Sequence, residues 1–208
     1  MLFEVTAFRH ADVIMSQPEF IYQRDEVFYV IDSISDEDLI ETHQNYSGGL
    51  GVGGPKSLSV AINSLLSERF VIEGWIKEPA IFHGPEYQHK RWRLDFAKDD
   101  VSIEVAFNHR EAIAWNLIKP VLASEMNHVQ KQIDTKIGIV ITATSALTWA
   151  GGFDNACGTY ENFLEYLPAL RNQLTTPLLI IGLLPPDTFR IVQDKDRLNR
   201  KYGLIERI

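Results

Sequence analysis

The sequence predicts an α/β fold, a mixed β-sheet core flanked by helices, and three observations predict it. Turn-forming residues around 97–100 precede Val101, Ile103, Val105 and Phe107, which alternate with Ser102, Glu104 and Ala106. That is the period of a half-buried strand returning from a β-hairpin. Two continuous apolar, β-branched runs, 136–144 and 178–184, have the length and composition of buried strands. Segments of helical period lie between and before them, and this alternation of strand and helix gives a sheet covered by helices.

Along the chain, 18–43 carries apolar residues at mixed helical spacing and predicts one or two helices, the second capped by Ser35 or Asp36. The segment 46–57 has the highest glycine density and formally contains Gly49-x-Gly51-x-x-Gly54 followed by Lys56-Ser57. A nucleotide cradle should follow a buried strand and open a helix, whereas helical sequence precedes this segment and Pro55 intervenes. A mobile loop closing on DNA, or a flexible connection, fits better. Leu58, Ala61, Ile62, Leu65, Leu66 and Phe70 give a helix period over 58–75, and 81–90 reads as a strand end and turn. A long helix is expected from about 111 to 132, bent or interrupted at Pro120. Its apolar positions Ile113, Leu117, Val121, Leu122 and Met126, with Trp115, suggest two buried faces, as in a helix between core and partner subunit. A helix over 160–171 separates the two apolar strands. The tail after Pro186 holds Lys195, Arg197, Arg200 and Lys201 and reads as a solvated helix surface or a basic arm.

A chain of 208 residues with 45% hydrophobic content can bury one sizeable core, and no Pro/Gly/Ser-rich linker divides it, so residues 1–208 are expected to form a single domain. The longest apolar run, 178–184, is too short to span a bilayer, and the first residues lack the pattern of a signal peptide, predicting a soluble, cytoplasmic protein. One cysteine, Cys157, excludes an internal disulfide framework and a cysteine-rich zinc site, and its simplest role is that of a small loop residue. A net charge of −8 argues against a surface that attracts nucleic acid everywhere. Lys90, Arg91, Arg93 and Lys98 nevertheless flank the hairpin.

That hairpin carries the chemistry. Glu104 and Ala106 share one strand face, and a short turn places Asp95 on the partner strand diagonal to Glu104. One hard cation with its waters can bridge such a pair. The competing reading is an exposed strand face without metal. Asn63, on the polar face of the 58–75 helix, is by pattern alone a solvated residue.

Asp95 … Glu104-Val105-Ala106 resembles the PD-(D/E)xK nuclease core, in which an acid on one strand and E-x-[K/Q/E] on the next bind magnesium. The chain resembles the BglII/BstYI-type restriction endonucleases further at 8–14, at 60–63 with Asn63, at 152–161 in place of a base-reading loop and Tyr-Glu helix, and at 177–183 as a last core strand. The resemblance implies a Mg2+-dependent type II endonuclease acting on double-stranded DNA at a short palindrome that could contain GATC, a restriction-endonuclease-like fold, a homodimer, and a cognate DNA methyltransferase in the host. It makes Asp95 and Glu104 metal ligands with the Val105 carbonyl, and places Asn63 near the attacking water. Position 106 carries alanine where the family has a polar side chain. A substitute residue, a loss of cleavage or a disabling substitution would each account for it. Base reading falls to Asn108, His109, Arg110 and Asn155, whose side chains suit the major groove, and Lys98 is a candidate phosphate contact.

Overall fold

The computed structural model describes residues 1–46, 55–125, 128–195, 199 and 201–208. The segment 47–54, and with it the choice between a phosphate cradle and a connecting loop, lies outside the described residues, as do Met126, Arg197 and Arg200. In chain order the elements are β1 (Phe3–Phe8), α1 (Ala11–Ile14), α2 (Ile21–Asp32), α3 (Asp36–Gln44), α4 (Ser59–Ile72), β2 (Ile76–Lys77), β3 (Phe96–Lys98), β4 (Val101–Ala106), α5 (Ile113–Ser124), β5 (Ile137–Ala143), α6 (Ser145–Ala150), α7 (Tyr160–Ala169), β6 (Leu178–Leu183), β7 (Phe189–Lys195) and β8 (Lys201–Arg207).

Six strands form one mixed sheet in the order β1-β6-β5-β4-β3-β2. The centre, β4, β5 and β6, is parallel, while β1 and β3 add antiparallel strands on either side. Parallel strands need helices on both faces, and the side chains divide accordingly. Ile139, Ile141, Leu179 and Ile181 pack with α2, α3 and α4, whereas Val140, Leu178 and Ile180 pack with α5 and α7. Because both faces are covered, β5 and β6 are buried at every position.

The seat of α5 is set by a close approach. A Cβ on Gly138 of β5 would lie 2.5 Å from Cβ of Pro120 and 2.7 Å from Cδ2 of Leu178. Glycine therefore lets Pro120 rest on the sheet, which holds the middle of α5 against β4 and β5. Pro120 also lacks the N–H that would meet the carbonyl one turn back.

Several expectations are corrected. The helix beginning near 111 ends at Ser124 rather than 132, one turn past Pro120, because the chain then returns to bridge Lys131 to Phe82. β4 is not half-buried: every residue except Val105 is buried, since β3 and β5 pair with it and helices lie over it. The tail is neither helix surface nor free arm over its described residues. Phe189 and Ile191 turn inward at strand period, and β7 and β8 pair antiparallel as a separate two-stranded sheet. Strand β1 carries no expectation from the sequence and forms the edge beside β6. Ser35 caps α3 as expected, its side chain accepting from the Asp38 N–H in a capping box. Among the described residues no helix is long and apolar enough to cross a membrane.

Substituting Gly138→Ala should lower stability by about 1–3 kcal/mol, because Pro120 and Leu178 must give way. Urea unfolding checks this, and an unchanged midpoint would contradict the packing described.

Candidate active site

The hairpin register pairs Phe96 with Ile103 and Lys98 with Val101, with a tight turn at Asp99–Asp100 where Asp99 has φ of +48°. One step further along this register, Asp95 comes level with Glu104. Instead of continuing the ladder, Oδ2 of Asp95 accepts the Val105 N–H at 2.7 Å, so the side chain occupies the place of a backbone acceptor. The N–H and C=O of one strand residue point to the same edge. The carbonyl of Val105 therefore faces the edge that Asp95 borders.

Period-2 alternation sends Val105 toward the α4 side and Glu104 with Ala106 under α5. Glu104 is 1% exposed. One of its oxygens, Oε2, forms an ion pair with Nζ of Lys119, a buried residue of α5. The other, Oε1, is buried and meets no hydrogen-bond partner. Lys119 also donates to the carbonyl of Arg93 at 3.3 Å. Burial pushes the Glu104 carboxyl well above its usual range and the Asp95 charge adds to this, with Lys119 pulling the other way. Burial raises Asp95 too, opposed by Lys119 and the Val105 N–H.

Asp95 stands where two hollows meet. The larger, about 300 Å³, is lined by Asn63 and Ser67 of α4 with Lys77, Glu78, Phe96 and Val105. The smaller, about 100 Å³, is lined by Lys90, Arg93, Leu94 and Lys119, again with Glu78. Glu78 adopts φ of +49°, uncommon for a residue with a side chain, its N–H donating to the Asp95 carbonyl at 2.9 Å and its carbonyl accepting from Arg93 at 2.7 Å.

The buried carboxylate of Glu104 with its unpartnered oxygen, the half-buried carboxylate of Asp95 and a backbone carbonyl form an oxygen-rich donor set suited to a hard divalent cation that keeps several waters. Among the described residues no group of three or more His, Cys, Asp or Glu side chains could hold a metal ion. A donor set here would consist of two side chains and main chain.

A second feature lies beyond the end of β4. Asn108, His109 and Arg110 run beside 155–158 as a short ribbon: Gly158 N–H to the Asn108 carbonyl at 2.9 Å, Arg110 N–H to the Ala156 carbonyl at 2.9 Å, and a bridge between His109 and Cys157. A guanidinium nitrogen of Arg110 donates to the Asn155 carbonyl at 3.0 Å. Asn108, His109, Arg110 and Asn155 are all exposed on this ledge. Cys157 beneath it is buried, which pushes its thiol up to about 11 and fits an inert packing residue.

The family model described as restriction endonuclease BglII/BglIII matches residues 3–183. The chain belongs to this restriction endonuclease family. Among solved structures it is similar to restriction endonuclease BglII complexed with a DNA 16-mer, with 19% identity, full coverage of both chains and a TM-score of 0.61. It is also similar to free BglII, with 16% identity, full coverage of both chains and a TM-score of 0.54. No curated protein sequence matches it. The mixed sheet flanked by helices is the BglII fold.

Within that fold the expected residues separate into three places. Asn63, Asp95 and Val105 share the larger hollow, while Glu104 lies behind them under α5. Ala106 is 1% exposed in the apolar cluster with Leu117 and Val140, and presents only a methyl group. Lys98 ends β3 opposite Val101, five residues along β4 from Ala106 or about 17 Å at strand rise. Its ammonium is held at 2.7 Å by both oxygens of Glu26 and at 2.8 Å by the Glu73 carbonyl, so it is engaged within the protein. The exposed-face reading of the carboxylates is overturned by the burial of Glu104. Sequence reasoning missed Lys119 and Glu78. A signal existed for the first, because a lysine within an apolar helical period is buried only when paired. Glu78 owes its place to backbone conformation, which no residue pattern records.

Both carboxyls are raised, so their charged forms are disfavoured in the folded protein and this penalty grows as pH rises from about 4 through the raised values. Metal-free Asp95→Asn, whose side-chain oxygen can still accept from Val105, should therefore melt higher than the wild type at pH 8 and alike at pH 3.5. Thermal melts in EDTA at the two pH values measure this. A lower melting temperature at pH 8 would contradict the raised state of Asp95.

Proposed function

We propose that residues 1–208 act as one restriction-endonuclease-like domain and hydrolyse phosphodiester bonds of double-stranded DNA at a short palindrome as a Mg2+-dependent type II endonuclease. The observation that carries this is the packing of Asp95 beside Glu104 with Oε1 of Glu104 buried and unpartnered, in a chain of the BglII/BglIII family. Bound there, a divalent cation would lower the pKa of a water and offset the charge that builds on phosphorus. Asp95, Glu104 and the Val105 carbonyl would hold it. Asp95 is fixed by the Val105 N–H through one oxygen, which leaves its second oxygen as the one for the cation. Asn63, in the hollow that Asp95 shares, would contact the water or the substrate.

The exposed ledge would carry base recognition. One guanidinium nitrogen of Arg110, resting on the Asn155 carbonyl, holds two side chains able to read guanine or adenine edges at fixed spacing. A twofold homodimer would present two equivalent sites to the two strands of a palindrome. The DNA-bound BglII neighbour supports DNA as partner, and the family resemblance is what suggests a GATC-containing site and a host methyltransferase that protects it. A cytoplasmic location follows from that role.

A second reading is a sequence-specific DNA-binding protein that does not cleave, favoured by the bare methyl of Ala106 at the position where the family has a polar group.

Unmethylated phage DNA incubated with the protein and magnesium at low salt should give discrete fragments whose sequenced ends share one palindrome, and Asp95→Ala should abolish them. Intact DNA together with sequence-specific retention in a filter-binding assay would select the second reading. Neither cleavage nor retention would reject both.

A further inference from the structure

At position 106 the face of β4 that carries Glu104 presents only a methyl group within the apolar cluster, yet the space over Glu104 two residues earlier is not apolar. Lys119 reaches it from α5. Its Nζ pairs with Oε2 of Glu104 and donates to the Arg93 carbonyl, and it lines the smaller hollow with Asp95, Lys90 and Arg93. Among the described residues its ammonium meets two acceptors, which leaves a third N–H for that hollow. Lys119 is 8% exposed, so its ammonium is held in place instead of moving with solvent. The Pro120–Gly138 contact fixes the neighbouring residue on the sheet, and the helix cannot lift Lys119 away without losing that packing.

Resting on the nuclease reading above, we propose that Lys119 is the catalytic cation of the site, supplying from helix α5 what the strand position occupied by Ala106 does not. The division of Glu104 carries the idea. Oε2 is committed to Lys119 while Oε1 remains open, so one carboxylate can serve a lysine and a divalent cation together. Lys90, Arg93 and Lys119 set three positive side chains against the carboxylates of Asp95 and Glu78 around the smaller hollow, a net positive lining that suits one backbone phosphate. In the reaction the water oxygen forms the new bond to phosphorus, and the bond from phosphorus to the leaving sugar oxygen breaks with its electron pair. The water's proton passes to solvent and the leaving oxygen takes one from solvent. Lys119 transfers no proton. It donates its free N–H to the attacking water or a non-bridging phosphate oxygen and balances the charge that develops there.

The test compares wild type with Lys119→Met and Lys119→Gln. Single-turnover cleavage of a cognate duplex with Mg2+, duplex affinity with Ca2+, Mn2+ affinity by calorimetry, and melting temperature are each measured. The proposal expects Lys119→Met to cleave about 100- to 1,000-fold more slowly, with duplex affinity falling far less than the rate and Mn2+ affinity equal or tighter, since a positive neighbour of Glu104 has gone. Lys119→Gln, which keeps an N–H donor, should recover part of the rate. If Lys119→Met does not fold, the Lys119→Gln comparison decides alone, with cleavage slowed more than duplex affinity is weakened as the expected result. Cleavage at the wild-type rate or faster in the folded variants would overturn the proposal and leave the nuclease reading standing. A wild-type protein that binds a duplex without cutting it would overturn both.

Discussion

The charge of Glu104 is carried under α5 by the period of β4, and the surrounding structure is organised around that burial. An isolated carboxylate in such a place is costly unless it is neutralised or paired. Lys119 answers one oxygen, while the other has no partner within the chain. Asp95 is brought level with it by the hairpin register and then fixed by the Val105 N–H, so two acidic groups are held close against their mutual repulsion. Proteins keep such an arrangement where function requires it, and raised carboxyls in a cleft are a common mark of a functional site. A cation is the partner that would relieve both groups at once.

The same geometry links the acid pair mechanically to the exposed ledge. β4 runs from the hairpin turn through Glu104 and Val105 directly into Asn108–Arg110, which are zipped to 155–158. A ligand that moves the ledge therefore acts on the strand that carries the acids. On its other side, β4 pairs with β5, whose Gly138 seats α5 and with it Lys119. Few independent adjustments are available to the acid pair.

Much of this was legible in the sequence, for reasons that can be located. The hairpin was readable because Val101, Ile103 and Val105 alternate and Asp99–Asp100 turn the chain; the buried strands β5 and β6 because β-branched residues run unbroken; and α3 because Ser35 and Asp38 make a capping box. The family resemblance rested on short segments in the right order, and the family match bears it out over residues 3–183. What escaped depends on tertiary partners. Lys119 lies 15 residues from Glu104, counted from their positions in the chain; its place in an apolar helical period hints at a buried partner, but no local pattern names the strand acid it meets. The full burial of β4 depends on neighbours recruited from distant segments. The β7–β8 hairpin was masked by the charged residues between its strands, although Phe189 and Ile191 already alternate. Strand β1, an edge with an exposed face, carries too little apolar alternation to stand out.

As a nuclease the protein needs Asp95 and Glu104 to act as one cation site that binds through their charged forms. Calorimetric titration with Mn2+ at a mildly alkaline and at a mildly acidic pH measures how affinity follows their ionisation. The prediction is saturable binding that weakens as pH falls, because burial raises both carboxyls, and that is abolished by Glu104→Gln. Absence of binding, or binding that persists unchanged in Glu104→Gln, would contradict it.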